Sequence, residues 1–318
     1  MEMNFKSLVP AICIGGLLVA SATSRGRWSL QAAQTPDASS ANRALQGTID
    51  IHVHSAPDNV PRSIDGLDVA KLARTRGMRG IVLKNHYEPT ATLAFFARKE
   101  APGLEAFGGI DLNLTVGGMN PAAVEHMTEM TGGWGRVVWM STFDAENQVK
   151  YSKENRPFVS VSRAGQLLPE TKAVIAVIAR HGLVLATGHV SAAEGLMLLR
   201  EGRQQGVAHL VVTHAMNAPI SMEVPQMQEA ARMGAFIEFA GSTMANAAAA
   251  ARVDRYADAI RKVGPQFCIL SSDLGQAGNP LPPDGFADFL VAMRAKGFTQ
   301  QEIDTMSKTN PARLLGLQ

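Results

Sequence analysis

The chain has 318 residues, of which 46% are hydrophobic and 18% charged, and its formal net charge is +2. This length can bury one large core or two smaller ones. The small net charge argues against a nucleic-acid-binding protein and against a polybasic membrane surface, so no nucleic-acid partner is expected.

The N-terminal segment has the pattern of an export signal. A single lysine, Lys6, precedes an apolar run over residues 8–20, which is too short to span a bilayer comfortably. The run ends in the small residues A-S-A, spaced as at a signal-peptidase site. We predict a signal peptide over residues 1–22, a periplasmic or secreted location, and no stable membrane insertion after cleavage. A buried N-terminal helix and a retained membrane anchor are the alternatives.

The amino-acid composition and the hydrophobic pattern change after this segment. Residues 23–46 are polar and rich in serine and alanine, which predicts a flexible tether. From residue 47 to residue 318, short apolar runs alternate with amphipathic helical patterns. In chain order the apolar runs are 48–54, 80–86, 106–113, 136–142, 183–189, 209–214, 235–240 and 267–273.

Eight strand–helix units in about 270 residues predict a single-domain (β/α)8 TIM barrel over residues 47–318. An open, doubly wound sheet is the alternative. That fold favours a glycine-rich phosphate turn after its first strand. The stretch "HSAPDNVPRS", which follows the first strand here, is not such a turn.

Polar and metal-capable side chains occupy the C-terminal end of nearly every run. The active site of a TIM barrel is built at that end of the strands. Alternate residues of a strand share a face, so His52 and His54 can point together into the barrel mouth, with Asp50 one layer deeper. The remaining candidates at strand ends are Lys84, His86, His189, His214 and Asp273. Imidazoles with one carboxylate suit zinc and other divalent transition metals.

This order of residues resembles the metal-dependent amidohydrolase superfamily of TIM-barrel hydrolases. The shared features are D-x-H-x-H in the first strand, histidines after the fifth and sixth, aspartate after the eighth, and the closing "TNPARLLGL". The resemblance spans residues 47–318 and implies a hydrolytic site. It implies that the metal ligands are His52, His54, His189, His214 and Asp273. Asp273 would also be the general base, and His214 would bind a second metal or polarise the substrate.

One position departs from that superfamily. Two-metal members carry a lysine or glutamate at the end of the fourth strand, whereas residues 136–144 read "RVVWMSTFD". Lys84 ends the second strand instead and, with His86, is a candidate for metal bridging or substrate binding. An ammonium is repelled by a nearby divalent cation, so we expect Lys84 to pair with Asp50 or Asp111, or to bind substrate. If Lys84 does not bridge two metals, we expect one tightly bound metal ion, and whether a second ion binds stays open.

These residues predict a metal-dependent hydrolase that activates water on a divalent ion, with zinc expected, to cleave an amide, lactam, lactone or ester of a small molecule. A decarboxylase or lyase of the same superfamily is one alternative, and a non-catalytic exported metal- or ligand-binding protein is another. The oligomeric state, a homo-oligomer included, stays open.

Some polar residues fall outside the predicted ligand set. Asp50 is expected to orient a ligand histidine from behind. Glu238, within "FIEF", is a weaker candidate that would face the barrel interior, and His209, at the start of the sixth strand, is expected to be structural.

The loops around the barrel mouth contain few charged residues, which favours an uncharged substrate. Arg62, in the first of these loops, is expected to be solvated.

Overall fold

The computed structural model describes residues 38–242 and 247–318. The predicted signal peptide over residues 1–22 therefore lies outside the described residues, as does most of the predicted tether. The last part of that tether, Ala38–Leu45, is helical, and Leu45 is fully buried. None of the helices in the described ranges is long and apolar enough to cross a membrane.

Every predicted apolar run overlaps one strand of the barrel. The barrel strands are β1 Ile49–His54, β2 Gly80–Lys84, β3 Glu105–Asp111, β4 Gly135–Trp139, β7 Val184–Ala186, β8 His209–Val212, β9 Phe236–Ala240 and β10 Cys268–Ser271. They pair in parallel in the order β1-β2-β3-β4-β7-β8-β9-β10. A separate two-stranded hairpin consists of β5 Ser162–Arg163 and β6 Gln166–Leu167.

Hydrogen bonds between β1 and the residues that directly follow β10 close the sheet into a barrel. His54 N donates to Leu274 O at 2.8 Å, and Asp273 N donates to His52 O at 2.9 Å. The resulting barrel confirms the predicted (β/α)8 fold. Six of the eight strands end two or three residues before the predicted runs do, so that His189 and His214 lie in the loops that follow β7 and β8.

Helices surround the barrel. They are α1 Ala38–Leu45, α2 Gly66–Thr75, α3 Ala91–Glu100, α4 Pro121–Glu129, α5 Glu146–Tyr151, α6 Pro169–Arg180, α7 Ala192–Gln204, α8 Val224–Arg232, α9 Ala247–Val263, α10 Pro282–Ala295, α11 Gln300–Asp304 and α12 Asn310–Leu314. Side-chain caps begin several of them: Asp65 accepts from Leu67 N and Asp68 N in the first turn of α2, and Ser191 with Glu194 forms a capping box on α7.

The amino end of the barrel interior is filled with apolar side chains. Strand residues of this cluster are Ile49, Ile51, Val82, Phe107, Val137, Trp139, Val184, Ala186, Val211 and Ile269. Ala312 and Leu314 of α12, with Leu315, pack against them. This layer holds the strands together beneath the carboxyl end, where the polar residues lie.

Candidate active site

The predicted site residues meet at a cavity at the carboxyl end of the barrel. The cavity has a volume of about 540 Å³. Its titratable lining includes His52, His54, His86, His189, His214 and Asp273. All five predicted metal ligands therefore reach one space, together with His86.

Asp273 joins the two histidines of β1. Its Oδ1 lies 3.2 Å from His52 Nε2 and 3.1 Å from His54 Nε2. One ligand atom from each of these three residues lies within 4.8 Å of the other two. The pairing of β1 with β2 shifts register between Asp50 and Val53. Such an irregularity re-aims side chains beside active sites, and here it interrupts the regular alternation that the sequence suggested.

His189 and His214 face each other through the same ring nitrogen. Their Nε2 atoms are 3.2 Å apart, so the pair can share only one proton or one cation. Two ligands on one tetrahedral zinc, each about 2.0–2.1 Å from the metal, lie about 3.3 Å apart. The spacing of the two imidazoles therefore fits neighbouring ligands of one divalent ion, and the nitrogen and carboxylate donors fit its chemistry.

Glu238 supports two of the histidines from below. Its Oε1 accepts from Ser271 Oγ at 2.7 Å and lies 3.0 Å from His52 Nδ1, while its Oε2 accepts from His214 N at 2.8 Å. The bond to Nδ1 leaves His52 Nε2 directed at Asp273. A carboxylate behind a ligand histidine fixes both ring orientation and tautomer. Glu238, a weaker candidate from the sequence, therefore contacts two of the predicted ligand histidines directly.

Gln148 plays the same part for a second histidine. Its Oε1 lies 2.9 Å from His189 Nδ1, which leaves His189 Nε2 for His214 or a metal. Gln148 belongs to α5, so it does not share the pattern of polar residues at strand ends. Nothing in the spacing of this helix marks the residue as functional.

The pKa shifts of Asp273 and of three histidines favour the protonation states in which these side chains bind metals. Burial alone would raise the pKa of Asp273, but the charge of His52 and the hydrogen bond with His54 outweigh it and hold that pKa well below its ordinary value. Burial lowers the pKa of His54 to about 3 and also lowers the pKa values of His189 and His214. An ionised carboxylate and neutral imidazoles are the forms in which these groups bind metals.

His52 differs from the other histidines. Burial would lower its pKa, but the carboxylates of Asp273 and Glu238 outweigh burial and raise the pKa above 6.5. Two carboxylates around one ring, Glu238 buried and Asp273 17% exposed, favour a cation among them, since uncompensated charge with little access to water is costly. An imidazolium or a metal ion can meet that requirement.

Lys84 pairs with a carboxylate beneath the cavity, the arrangement expected from the sequence. Its Nζ lies 2.8 Å from Asp111 Oδ2, and the two side chains are 0% and 1% exposed. Asp111 Oδ2 also accepts from Thr142 Oγ1 at 2.9 Å. Lys84 does not contribute to the cavity lining formed by the described residues.

His86 faces the cavity and is oriented by the same network. Its Nδ1 lies 2.9 Å from Thr142 Oγ1. Because the Thr142 hydroxyl donates to Asp111, its oxygen accepts from His86 Nδ1–H, which leaves Nε2 free of the proton. The ring stacks on Phe143 with centroids 3.6 Å apart. This arrangement offers a substrate an acceptor nitrogen above an aromatic wall.

Asp50 binds backbone rather than a ligand ring. Its Oδ1 accepts from His52 N at 3.1 Å and from Ser272 N at 3.0 Å. Among the residues that the structure describes, Oδ2 has no hydrogen-bond partner, and burial raises the pKa of Asp50 to about 7. Asp50 therefore ties β1 to the end of β10 directly beneath the cluster.

Two sequence comparisons bear on this chain. The model of DUF6282, described as a family of unknown function, matches residues 47–238. No curated protein sequence is significantly similar to the chain.

Solved structures share the fold at low sequence identity. Organophosphorus hydrolase from Deinococcus radiodurans is 17% identical over 86% of this chain and 94% of its own, with a TM-score of 0.58. An amidohydrolase from Pseudomonas aeruginosa is 12% identical over 87% and 98%, with a TM-score of 0.58. The phosphotriesterase homology protein from Escherichia coli is 16% identical over 85% and 99%, with a TM-score of 0.58. The resemblance to amidohydrolase-type TIM barrels is confirmed for the fold.

Proposed function

The chain belongs to the DUF6282 family, and we propose that it is a metal-dependent hydrolase of small molecules. The observation that carries the proposal is the convergence of His52, His54 and Asp273 with the facing pair His189 and His214 on one cavity. A metal ion held by these side chains, which line the cavity, would have a coordination position open to the cavity. A catalytic metal needs such an open position, whereas a structural or storage site is closed by its ligands.

The residues around that position have the roles that hydrolysis requires. When bound, a divalent ion supplies Lewis acidity and lowers the pKa of water toward neutrality. Asp273, ionised and beside the cluster, accepts the proton of the attacking water and delivers it to the leaving group. Glu238 and Gln148 hold His52 and His189 in the orientation that presents Nε2 to the ion.

The names of similar structures support hydrolysis as the reaction class. They include an organophosphorus hydrolase and an amidohydrolase. For this chain we propose an amide, lactam, lactone or ester as the bond cleaved and zinc as the ion, with one ion tightly held. Lys84, already paired with Asp111, leaves no lysine free to bridge a second ion from the second strand.

Metal analysis of purified protein, combined with a panel of hydrolase substrates, tests the proposal. We expect close to one equivalent of metal in the wild type, and a loss of both metal and activity in His52→Ala and His189→Ala. His209→Ala is the matched control, because His209 lies at the opposite end of the strand that precedes His214. Full metal content in a protein that lacks both His52 and His54 would refute the assignment.

A further inference from the structure

A charged residue outside the metal-ligand cluster also lines the cavity. Arg62 lies in the loop between β1 and α2, where the sequence indicated a solvated side chain. The Arg62 side chain is only 3% exposed, and it forms part of the wall of the cavity that contains His52 and Asp273. The fold has therefore placed a cation beside the site although the surrounding loops are poor in charge.

The guanidinium of Arg62 is held on one edge and open on another. Asp58 Oδ2 accepts from Arg62 Nε at 2.7 Å and from Nη2 at 2.6 Å, and the Asp58 side chain is fully buried. Asp58 is itself fixed, since its Oδ1 accepts from Asn59 N at 2.6 Å. Within the described part of the chain, the polar contacts of the Arg62 guanidinium run from Nε and Nη2, and none runs from Nη1. A guanidinium has five donors in a planar fork, so the edge that includes Nη1 can still bind a ligand.

The backbone around Arg62 is fixed to the loop that carries Asp273. Ser63 N donates to Gly275 O at 2.9 Å, and an antiparallel bridge joins Arg62 to Gln276. Gly275 has φ +127°, and a Cβ at that position would come within 1.9 Å of His54 O. The two loops and the end of β1 are therefore closely packed. Arg62 is in place before a ligand arrives, which lowers the entropic cost of binding.

We propose that Arg62 binds a carboxylate of the substrate, so that the substrate class is a small organic acid with an apolar body. This inference rests on the proposed function, because it places the scissile bond at the metal-ligand cluster and the acid at Arg62. Bonds between a guanidinium and a carboxylate are charge-assisted and strong. Val60, Pro61 and Ala277 line the same cavity and supply apolar surface for the body of such a molecule.

Benzoate and benzamide are suitable probes, since they have the same shape and differ in charge. Affinities are measured by ligand-observed NMR on chelator-treated protein, so that a metal ion cannot bind the carboxylate. We expect wild type to prefer benzoate by roughly tenfold or more, as a charge-assisted hydrogen bond allows. Arg62→Gln should remove this preference, and Arg62→Lys should retain part of it.

The matched control is Arg76→Gln. Arg76 also pairs with an aspartate, its Nη2 lying 2.7 Å from Asp284 Oδ1, but it does not line the cavity. This variant should keep the full preference for benzoate. In wild type, the ¹⁵N signals of the Arg62 side chain should move with benzoate and not with benzamide, a measurement that needs no variant to fold.

A preference for benzoate that survives in Arg62→Gln would overturn the proposal and leave Arg62 as a residue that only anchors its loop. Unmoved ¹⁵N signals would overturn it as well. Because the probes bind metal-free protein, these results do not depend on catalysis. Metal content and activity of the reloaded wild type, measured with the panel of hydrolase substrates, separately test the proposed hydrolase function.

Discussion

The two ends of the barrel are built from the same strands and have opposite composition. β1 shows this within six residues, since Ile49 and Ile51 belong to the apolar cluster of the amino end while His52 and His54 line the cavity. At the amino end, shape and apolar burial determine the structure. At the carboxyl end, hydrogen bonds and ion pairs between buried charged and polar groups determine the structure. The contrast indicates that stability and function are separable in this molecule.

The physical costs at the two ends differ accordingly. Burial of apolar surface at the amino end stabilises the fold at about 25 cal/mol per Å². Burial of charge at the carboxyl end is unfavourable unless the groups are paired. Substitutions at one end should therefore change activity and metal binding, and substitutions at the other should change the free energy of unfolding.

The largest effect is expected for Asp273→Asn. The amide keeps the shape of the side chain but cannot accept the proton of the attacking water, so kcat should fall by about 10²- to 10⁴-fold. The barrel should stay folded, because the apolar end is untouched. Steady-state kinetics and far-UV circular dichroism measure the two properties. A variant with the wild-type rate would exclude Asp273 as the general base.

At the opposite end, Phe107→Ala should act on stability. Phe107 is 1% exposed within the apolar cluster, and the guanidinium carbon of Arg98 lies 4.8 Å from its ring centroid. Truncating a buried phenylalanine costs about 3–5 kcal/mol in the free energy of unfolding. Denaturant unfolding measures this loss, and metal stoichiometry in the folded variant should remain that of wild type. Loss of metal without loss of stability would contradict the separation of the two ends.

Lys84→Met tests the boundary between the two ends. The substitution leaves Asp111 buried without its cation, which typically costs about 3–5 kcal/mol. The double variant Lys84→Met with Asp111→Leu should recover much of that loss in denaturant unfolding. Activity lost in Lys84→Met should not return on addition of short carboxylic acids. Its return, together with two tightly bound metals, would show that Lys84 bridges a metal pair.

The smallest effect is expected for Glu238→Gln. The amide oxygen can still accept from His52 Nδ1–H, but the NH2 group that replaces Oε2 cannot accept from His214 N–H. The substitution also removes the negative charge that would make His52 a strong metal ligand. Metal affinity should fall by about 10- to 100-fold, the range for such outer partners. Competition with a chelator measures this affinity, with His209→Ala as the control. If the variant and the wild type bind the metal with equal affinity, Glu238 has only a structural role.

The sequence by itself determined the barrel and the residues at its mouth. Alternation of apolar runs with amphipathic segments is a local pattern, and it predicted all eight strands. Polar residues that terminate those runs are also visible locally, and parallel strands bring their carboxyl ends to one side. For that reason the sequence pattern was sufficient to select His52, His54 and Asp273 together.

Only the tertiary structure decided which partners these residues have. Glu238 meets His52 across 186 residues of chain, and Gln148 reaches His189 from a helix. Arg62 is buried because its loop is fixed to the loop after β10. Lys84 pairs with Asp111 because the alignment of neighbouring strands places the two side chains together. Such contacts depend on distances of a few ångströms between segments far apart in sequence. Periodicity along the chain carries no information about those distances, because they are set by packing.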